Sequence, residues 1–381
     1  MMSVFKLAFP KINFSGVGAI EALIERLLLE HQGDAGLLIC DPAMVKLGFS
    51  NKLLLSELNL TLFSAVRPNP DTNTVNSAFD LFVSSGAKYL IGFGGGSAID
   101  TAKAVRILSA NPGPIAKYNG VEQVAQLGVP LYAINTTAGT AAEVTSNAVI
   151  TDTETHVKHV LISDKIIPDV SVNDPSVMLG IPSAITAATG IDALTHAIES
   201  YVSQGAHKLT DYISLEAIKT IAEYLPQAVD DGSRIEAREM MAYGQFIAGL
   251  SFNSAGLGMV HAMAHPAGAQ KDLPHGVCNA ILLPIVSEFN RPYRVEKFAK
   301  IAQALGLDTS ELSPEQASFA AIQGLKDLNR RVGIPSGFAE LGVSAQDTLA
   351  WVDDALADPC AGGNPQPMTR EQVVALYQQS L

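Results

Sequence analysis

GIDALTHAIESYVS, residues 190–203, and GLGMVHAMAHPAGAQKDLPHG, residues 256–276, bracket the stretch on which the reading of this chain turns. Asp192 and His196 lie four apart in a run without Gly or Pro from Ile191 to Gln204. That spacing predicts a helix carrying both side chains on one face, one turn apart. His261 and His265 repeat the spacing, and His275 follows the turn marked by Pro274. Four of the chain's eight histidines thus fall in two short segments, one of which also carries Asp192. One carboxylate with several imidazoles is a borderline ligand set suited to Fe2+ or Zn2+. A single Asp/His pair is usually ordinary helix packing. Two such groups in a Gly- and Ala-rich apolar setting put metal binding and plain packing about level on spacing alone.

The second informative stretch is KYLIGFGGGSAIDTAKAV, residues 88–105. Tyr89 to Phe93 reads as a buried strand, Gly94, Gly95 and Gly96 as the turn, and Ser97 as the cap of a helix, with Asp100 completing a capping box. Glycines without Cβ let backbone N–H groups approach a pyrophosphate, and the helix N-terminus adds a favourable dipole. Ser97 stands where a third spaced glycine would complete a GxGxxG pattern, so the alternative is a plain tight turn.

Working outward, FKLAFPKINF (5–14) suggests an edge strand or hairpin, followed by a helix to about Leu29. GLLICD (36–41) is a buried strand ending in Asp41. There an acid can bond the adenosine ribose hydroxyls and repel a 2′-phosphate, or simply cap the next helix. TLFSAVRPNPDTNTV (61–75) places Asn69 between two prolines in a stiffened loop. In PLYAINTTAGTAAEVTSNAVIT (130–151), a strand leads into small hydroxyl donors, Thr136, Thr137, Thr140 and Thr145, around Gly139. KHVLISDKIIPDVSVNDP (158–175) adds two strands, with Lys158 just ahead of the first. Strands alternating with helices over 36–175 argue for an α/β sheet of mostly parallel strands. From Pro182 onward the pattern is helical throughout, with a Gly/Pro loop, DPCAGGNPQP (358–367), before the last helix. The expected organisation is an α/β domain over 1–180 and an all-helical domain over 181–381.

Composition limits the partners. The 381 residues are 48 % hydrophobic and 17 % charged, with net charge −13 at pH 7. That balance argues against nucleic acid and anionic membrane, which call for basic patches. No apolar run reaches the roughly 18 residues of a membrane-spanning helix. The first residues lack the apolar core and cleavage site of a signal peptide. Cys40, Cys278 and Cys360 are far apart and form no CxxC, which excludes a cysteine zinc site and fits a reducing, cytoplasmic setting.

With both stretches placed, the chain resembles the iron-containing (group III) alcohol dehydrogenase family. GFGGGSAIDTAK, TTAGTAAEVT, TGIDALTHAIESY and GLGMVHAMAHPAGAQKDLPHGVCNAILLP carry the resemblance in family order, across essentially the whole chain. It implies a dehydroquinate synthase-like fold: an α/β dinucleotide-binding domain, an all-helical C-terminal domain, and a metal in the cleft between them. It implies Asp192, His196, His261 and His275 as metal ligands, with His265 near the nicotinamide as a proton relay or positioning group. NAD contacts are implied at Asp41, Asn69, Gly96, Ser97, Thr136, Thr137, Thr145 and Lys158, within a cofactor-binding set that also includes Gly95, Asp100 and Thr140. Asn147, Gly180 and Ile181 are implied on the nicotinamide side.

The implied activity interconverts a small primary alcohol or diol with its aldehyde, using NAD and Fe2+, with zinc as the ion that competes during purification. The implied assembly is a homodimer. Three rival readings are weaker. A zinc-dependent polyol dehydrogenase of similar fold generally uses fewer histidines at its metal. A dehydroquinate synthase needs a basic phosphate-binding cluster, whereas residues 190–276 carry only scattered Lys and Arg. A non-catalytic metal- or nucleotide-binding scaffold would show no turnover. Phe252, Phe338 and the loop around Cys360 are guesses for the wall of the substrate pocket.

Overall fold

A computed structural model describes residues 4–155 and 157–381. The chain divides into two compact units, Ala8–Leu179 and Gly180–Leu381, the latter together with residues 4–7.

The first unit is built on strands β1 (Ile12–Ser15), β2 (Gly36–Cys40), β3 (Leu60–Phe63), β4 (Tyr89–Gly94), β5 (Gly120–Val121), β6 (Leu131–Asn135), β7 (Asn147–Thr151), β8 (Lys158–Ile162) and β9 (Val170–Asn173). Six of them form a parallel sheet in the order β1-β9-β6-β4-β2-β3. Every residue of β2, β4, β6 and β9 is buried, as a sheet covered on both faces requires. Leu38, Cys40, Ile91 and Phe93 enter one core, and Leu37, Ile39 and Leu90 enter the other. The chain runs from β2 out to β3, then returns to the far side of β2 as β4. Connections therefore leave β2 and β4 in opposite directions, and the crevice for a ligand falls beyond their carboxyl ends. Register brings Cys40 opposite Phe93 and Gly94 opposite Asn135, so Asp41, Gly95 and Thr136 emerge at one edge.

Two local expectations are corrected. The segment 5–14 makes no hairpin: only Ile12–Ser15 is a strand, on the parallel edge beside β9. Pro10 has no N–H to donate and restricts Phe9 before it. Of the two strands expected in 158–175, only β9 joins the main sheet; β8 pairs antiparallel with β7 and parallel with β5 in a separate small sheet.

The second unit is helical: Ser183–Val202, Lys208–Asp230, Ile235–Ala255, Met259–Lys271, His275–Asn290, Val295–Ala304, Pro314–Arg331, Ala345–Ala350, Val352–Ala357 and Arg370–Gln379 are its α-helices. Ser183–Val202 is buried on nearly every face from Thr186 onward, so it forms the axis of the unit. His275–Asn290 packs against it. A Cβ at Gly276 would lie 2.4 Å from the Ala188 carbonyl oxygen, so only glycine lets these helices approach closely enough to set His275 beside Asp192. Ala345–Ala350 and Val352–Ala357 are separated at Trp351, which is fully buried between Phe338 and Tyr377. Phe338 therefore belongs to this core cluster. Residues 4–7 return to the helical unit, where Phe5 stacks on His207 and the Lys6 carbonyl accepts from Ser254 Oγ. Among the described residues no single helix is long and apolar enough to cross a membrane.

Candidate active site

Asp192 and His196 do share a face of Ser183–Val202, and both are buried. Asp192 Oδ1 lies 3.8 Å from His261 Nε2 and 3.6 Å from His275 Nε2. One ligand atom from each of Asp192, His261 and His275 falls within 4.8 Å of the others. Two ligands bound at about 2.1 Å to a tetrahedral cation stand about 3.4 Å apart, so the observed separations need little adjustment. The His196 ring stacks on His261, centroids 4.5 Å apart, and on Phe252 at 4.3 Å. His196 is thus adjacent to the three, but its nitrogens fall outside the 4.8 Å group.

The protonation pattern suits a cation. Glu199 Oε2 lies 2.6 Å from His261 Nδ1, and Glu199 Oε1 accepts from the Val260 N–H at 2.7 Å. His261 therefore carries its proton on Nδ1, which turns the Nε2 lone pair toward Asp192. Nε2 is buried and has no hydrogen-bond partner, an uncommon condition that a ligated ion would relieve. Burial holds the His261 imidazole neutral by lowering its pKa to about 3, with His265 contributing in the same direction. Burial also raises Asp192, and it raises Glu199 to about 7. Asn279 Nδ2 donates to Asp192 Oδ1 at 2.6 Å and lies 3.1 Å from His275 Nε2, a contact that a cation bound at that nitrogen would replace. These residues fit a divalent cation: two buried acids surround His261 and His275, whose Nε2 atoms both approach Asp192 Oδ1.

His265 stacks on His275, ring centroids 5.4 Å apart. Its Nδ1 is held by Asp358 Oδ2 at 2.6 Å. Asp358 caps the 3-10 turn Pro359–Gly363 by accepting from the Cys360 N–H at 2.8 Å. Burial alone would raise the Asp358 carboxyl, but the charge and hydrogen bond of His265 and the Cys360 N–H together hold it at about 2. Glu199, Asn279 and Asp358 were not singled out from sequence. Glu199 had a usable signal, since Asp192, His196 and Glu199 sit at i, i+4 and i+7 on one face.

In the α/β unit, the glycine turn lies at the crevice beyond β2 and β4. Gly94 has φ +155°, and a Cβ there would come within 2.8 Å of both Asp41 and Ala98 Cβ atoms. A Cβ on Gly96 would meet Thr140 at 3.0 Å, and one on Gly95 would meet Thr137 at 3.2 Å. The turn is therefore a bare-backbone cradle walled by Thr137 and Thr140. The helix is Gly96–Leu108 with Gly95 as its N-cap, so the expected Ser97–Asp100 capping box is absent. The helix starts two residues early, which places Ser97 inside its first turn. Asp100 instead accepts from the Val149 N–H at 3.0 Å. The first helical N–H groups have no acceptor within the helix, which suits an anion such as a pyrophosphate.

Asp41 does cap its helix, through Oδ1 and the Ala43 N–H at 2.8 Å. The Thr136 N–H donates to the Gly94 carbonyl, and the Asn135 side chain accepts from the Thr137 N–H. Asn69, at φ +51°, accepts from Lys158 Nζ at 3.1 Å, and the Lys158 charge also acts on Asp100. Thr136 and Thr145 are buried; the Thr145 carbonyl and hydroxyl and the Asn147 carbonyl are gathered around Lys103 Nζ. Gly180 and Ile181 fall in the helical unit, where the Gly180 N–H reaches the Gly232 carbonyl and the Ile181 carbonyl accepts from Arg238.

A metal-competent acid–imidazole cluster in a helical unit, following a parallel α/β unit with a glycine turn at its switch point, defines the architecture of a metal-assisted dehydrogenase. The chain belongs to the iron-containing alcohol dehydrogenase family: the family models for iron-containing alcohol dehydrogenase and for its C-terminal region match residues 10–175 and 186–381. It is an oxidoreductase that interconverts an alcohol and its aldehyde. It is 43 % identical to the lactaldehyde reductase of Escherichia coli (strain K12), over 95 % of this chain and 96 % of that one. It is 40 % identical to an NAD-dependent methanol dehydrogenase of Bacillus methanolicus, over 98 % of each. A solved structure of 1,3-propanediol oxidoreductase matches with a TM-score of 0.97 and 40 % identity, covering 100 % of both chains.

Proposed function

We propose that this chain is an iron-dependent dehydrogenase that uses NAD(H) on small primary alcohols or diols, as a cytoplasmic homodimer. The observation that carries the reading is the convergence of Asp192, His261 and His275, with the buried His261 Nε2 left unbonded. The named relatives supply the substrate class, since methanol, lactaldehyde and 1,3-propanediol are all small. The free cysteines fit a reducing compartment, and exposed Phe5 and Phe9 offer apolar surface to a second copy.

A divalent cation, when bound, supplies Lewis acidity toward the alcohol or carbonyl oxygen, and NAD(H) supplies the hydride carrier. In this reading Asp192, His196, His261 and His275 hold the cation. Glu199 fixes the His261 tautomer, and Asn279 fixes the Asp192 carboxylate. Gly95, Gly96 and Ser97 present backbone N–H groups to the pyrophosphate, beside Thr137 and Thr140. The Asp41 carboxylate takes the ribose hydroxyls and disfavours a 2′-phosphate, selecting NAD over NADP. Asn69 and Lys158 add a polar contact, with Asp100, Thr136 and Thr145 shaping the loop behind. Asn147, Gly180 and Ile181 line the nicotinamide side. His265 Nε2 passes a proton or orients the ring, while Asp358 holds Nδ1.

The test is protein stripped of metal, loaded anaerobically with Fe2+ or Zn2+, and assayed with a panel of short alcohols and diols by NADH absorbance. Turnover with the iron form, greatest for small primary substrates, is expected. No turnover with any alcohol overturns the activity, and faster turnover with zinc overturns the iron assignment. Sedimentation of the iron form as a monomer would overturn the dimer.

A further inference from the structure

We propose that His265, Asp358 and Cys360 form a second metal site, which takes a soft divalent cation such as Zn2+ or Cd2+ through the Cys360 sulfur. One ligand atom from each of the three lies within 4.8 Å of the others. His265 comes from the helix Met259–Lys271, and the other two come from the Asp358-capped turn. Asp358 organises the set by bonding the His265 ring through Oδ2 and the Cys360 N–H through Oδ1.

The donor chemistry separates this group from the one beside it. Asp192, His261 and His275 offer nitrogen and oxygen alone, whereas this group adds sulfur and selects softer ions. Cys40 and Cys278 are fully buried, and among the described residues neither belongs to a group of this kind. Burial, together with the negative charges of Asp358 and Glu199, pushes the Cys360 thiol well above its usual range. The resting group is therefore a neutral thiol beside the hydrogen-bonded His265 and Asp358. As the metal–sulfur bond forms, the thiol proton leaves to solvent and the dication takes its place. The proton shared by His265 Nδ1 and Asp358 Oδ2 also leaves, to solvent or to Nε2, and the freed nitrogen and oxygen bind the metal.

Occupation of this site ties up His265, whose ring stacks on His275. Excess zinc or cadmium thereby slows turnover. This consequence rests on the hydride-transfer reading, but metal binding itself does not.

The test is a cadmium titration of the iron-loaded enzyme, following the ultraviolet thiolate-to-cadmium charge-transfer absorption. The sulfur-free cluster is silent in that band. Wild type is expected to saturate at one cadmium per chain, with turnover falling in parallel. Loss of an outer-sphere partner costs about 10–100-fold in affinity, so Cys360→Ser, which removes a direct ligand, loses the band and more than ~100-fold in cadmium affinity. His265→Ala and Asp358→Ala each move the midpoint to higher cadmium, and Cys278→Ser leaves the band unchanged. A band that survives Cys360→Ser overturns the site, as does one indifferent to both His265→Ala and Asp358→Ala. A saturating band with undiminished turnover overturns the inhibitory role. Iron-loaded protein without turnover counts against the dehydrogenase reading, while the band still reports on the metal site.

Discussion

Glu199 Oε2 lies 2.6 Å from His261 Nδ1, and both side chains are buried. One carboxylate thereby fixes the tautomer of an imidazole whose other nitrogen faces Asp192. Glu199→Gln tests this relationship. Both Glu199 oxygens accept, one from Val260 N and one from His261 Nδ1. A glutamine must turn its NH2 toward one of these donors, so either the backbone bond or the histidine orientation is lost. Affinity for a divalent cation should fall about 10–100-fold, as it does when an outer partner of a metal-bound histidine is removed. Competition against a chromophoric chelator measures it. Unchanged affinity would show that His261 needs no such support.

Gly94→Ala tests the cofactor turn. At φ +155°, with a Cβ set 2.8 Å from Asp41 and Ala98 Cβ atoms, alanine must shift the strand end or Asp41. A displacement near 1 Å can cost about 100-fold in rate, so kcat/KM for NAD should drop between 10- and 100-fold on that estimate. Bound metal should remain at the wild-type level, because the metal cluster belongs to the other unit. Equal loss of metal and of cofactor affinity would point to general unfolding instead.

Asp347 gives a pH-dependent prediction away from the site. Its carboxylate accepts from the Ser344 N–H at 2.9 Å, and it pairs with Lys271 Nζ at 2.9 Å. The Ser344 backbone bond first, then Lys271 and the Ser344 hydroxyl, hold its pKa at about 2, against 3.8 ordinarily. A group depressed on folding stabilises above its unfolded pKa, and that contribution disappears as pH falls through the folded value. Stability from Asp347 is thus complete above 3.8 and lost as pH falls through about 2. In Asp347→Asn, the decline of the melting temperature across that window should be shallower than in wild type. Parallel curves would refute the assignment.

How much of this was legible in sequence depended on whether the signal was local. Asp192 with His196, and His261 with His265, announce themselves because four-residue spacing is a property of one helix. The helical character of the chain from Pro182 onward was legible for the same reason. Asn279 and Asp358 were not, because each acquires its role by reaching a residue 87 or 93 positions away. Ser97 and Asp100 show the opposite failure. A strong local pattern, the capping box, was overridden when Val149 supplied Asp100 with a better-placed donor from a neighbouring strand.

Lys103 carries the last prediction. It was quoted from sequence only as part of a motif, yet it is a buried pin behind the glycine turn. Its ammonium donates to the Asn147 carbonyl at 2.7 Å, the Thr145 carbonyl at 2.9 Å and Thr145 Oγ1 at 3.3 Å. Its side chain is fully buried, and burial lowers its pKa to about 8 against the opposing pull of Asp100 and Glu143. The helix behind the glycine turn is thereby tied to the Thr145–Asn147 segment. Lys103→Met keeps the stem's volume and removes the charge. It removes the ammonium donor from two carbonyls and a buried positive charge that acts on Asp100 and Glu143. Removing one partner from a buried charge pair costs about 3–5 kcal/mol, and urea unfolding of the variant should show a loss of that order, with weaker NAD binding and normal metal content. A variant as stable as wild type would mean that the carbonyls find water, and that the pin is dispensable.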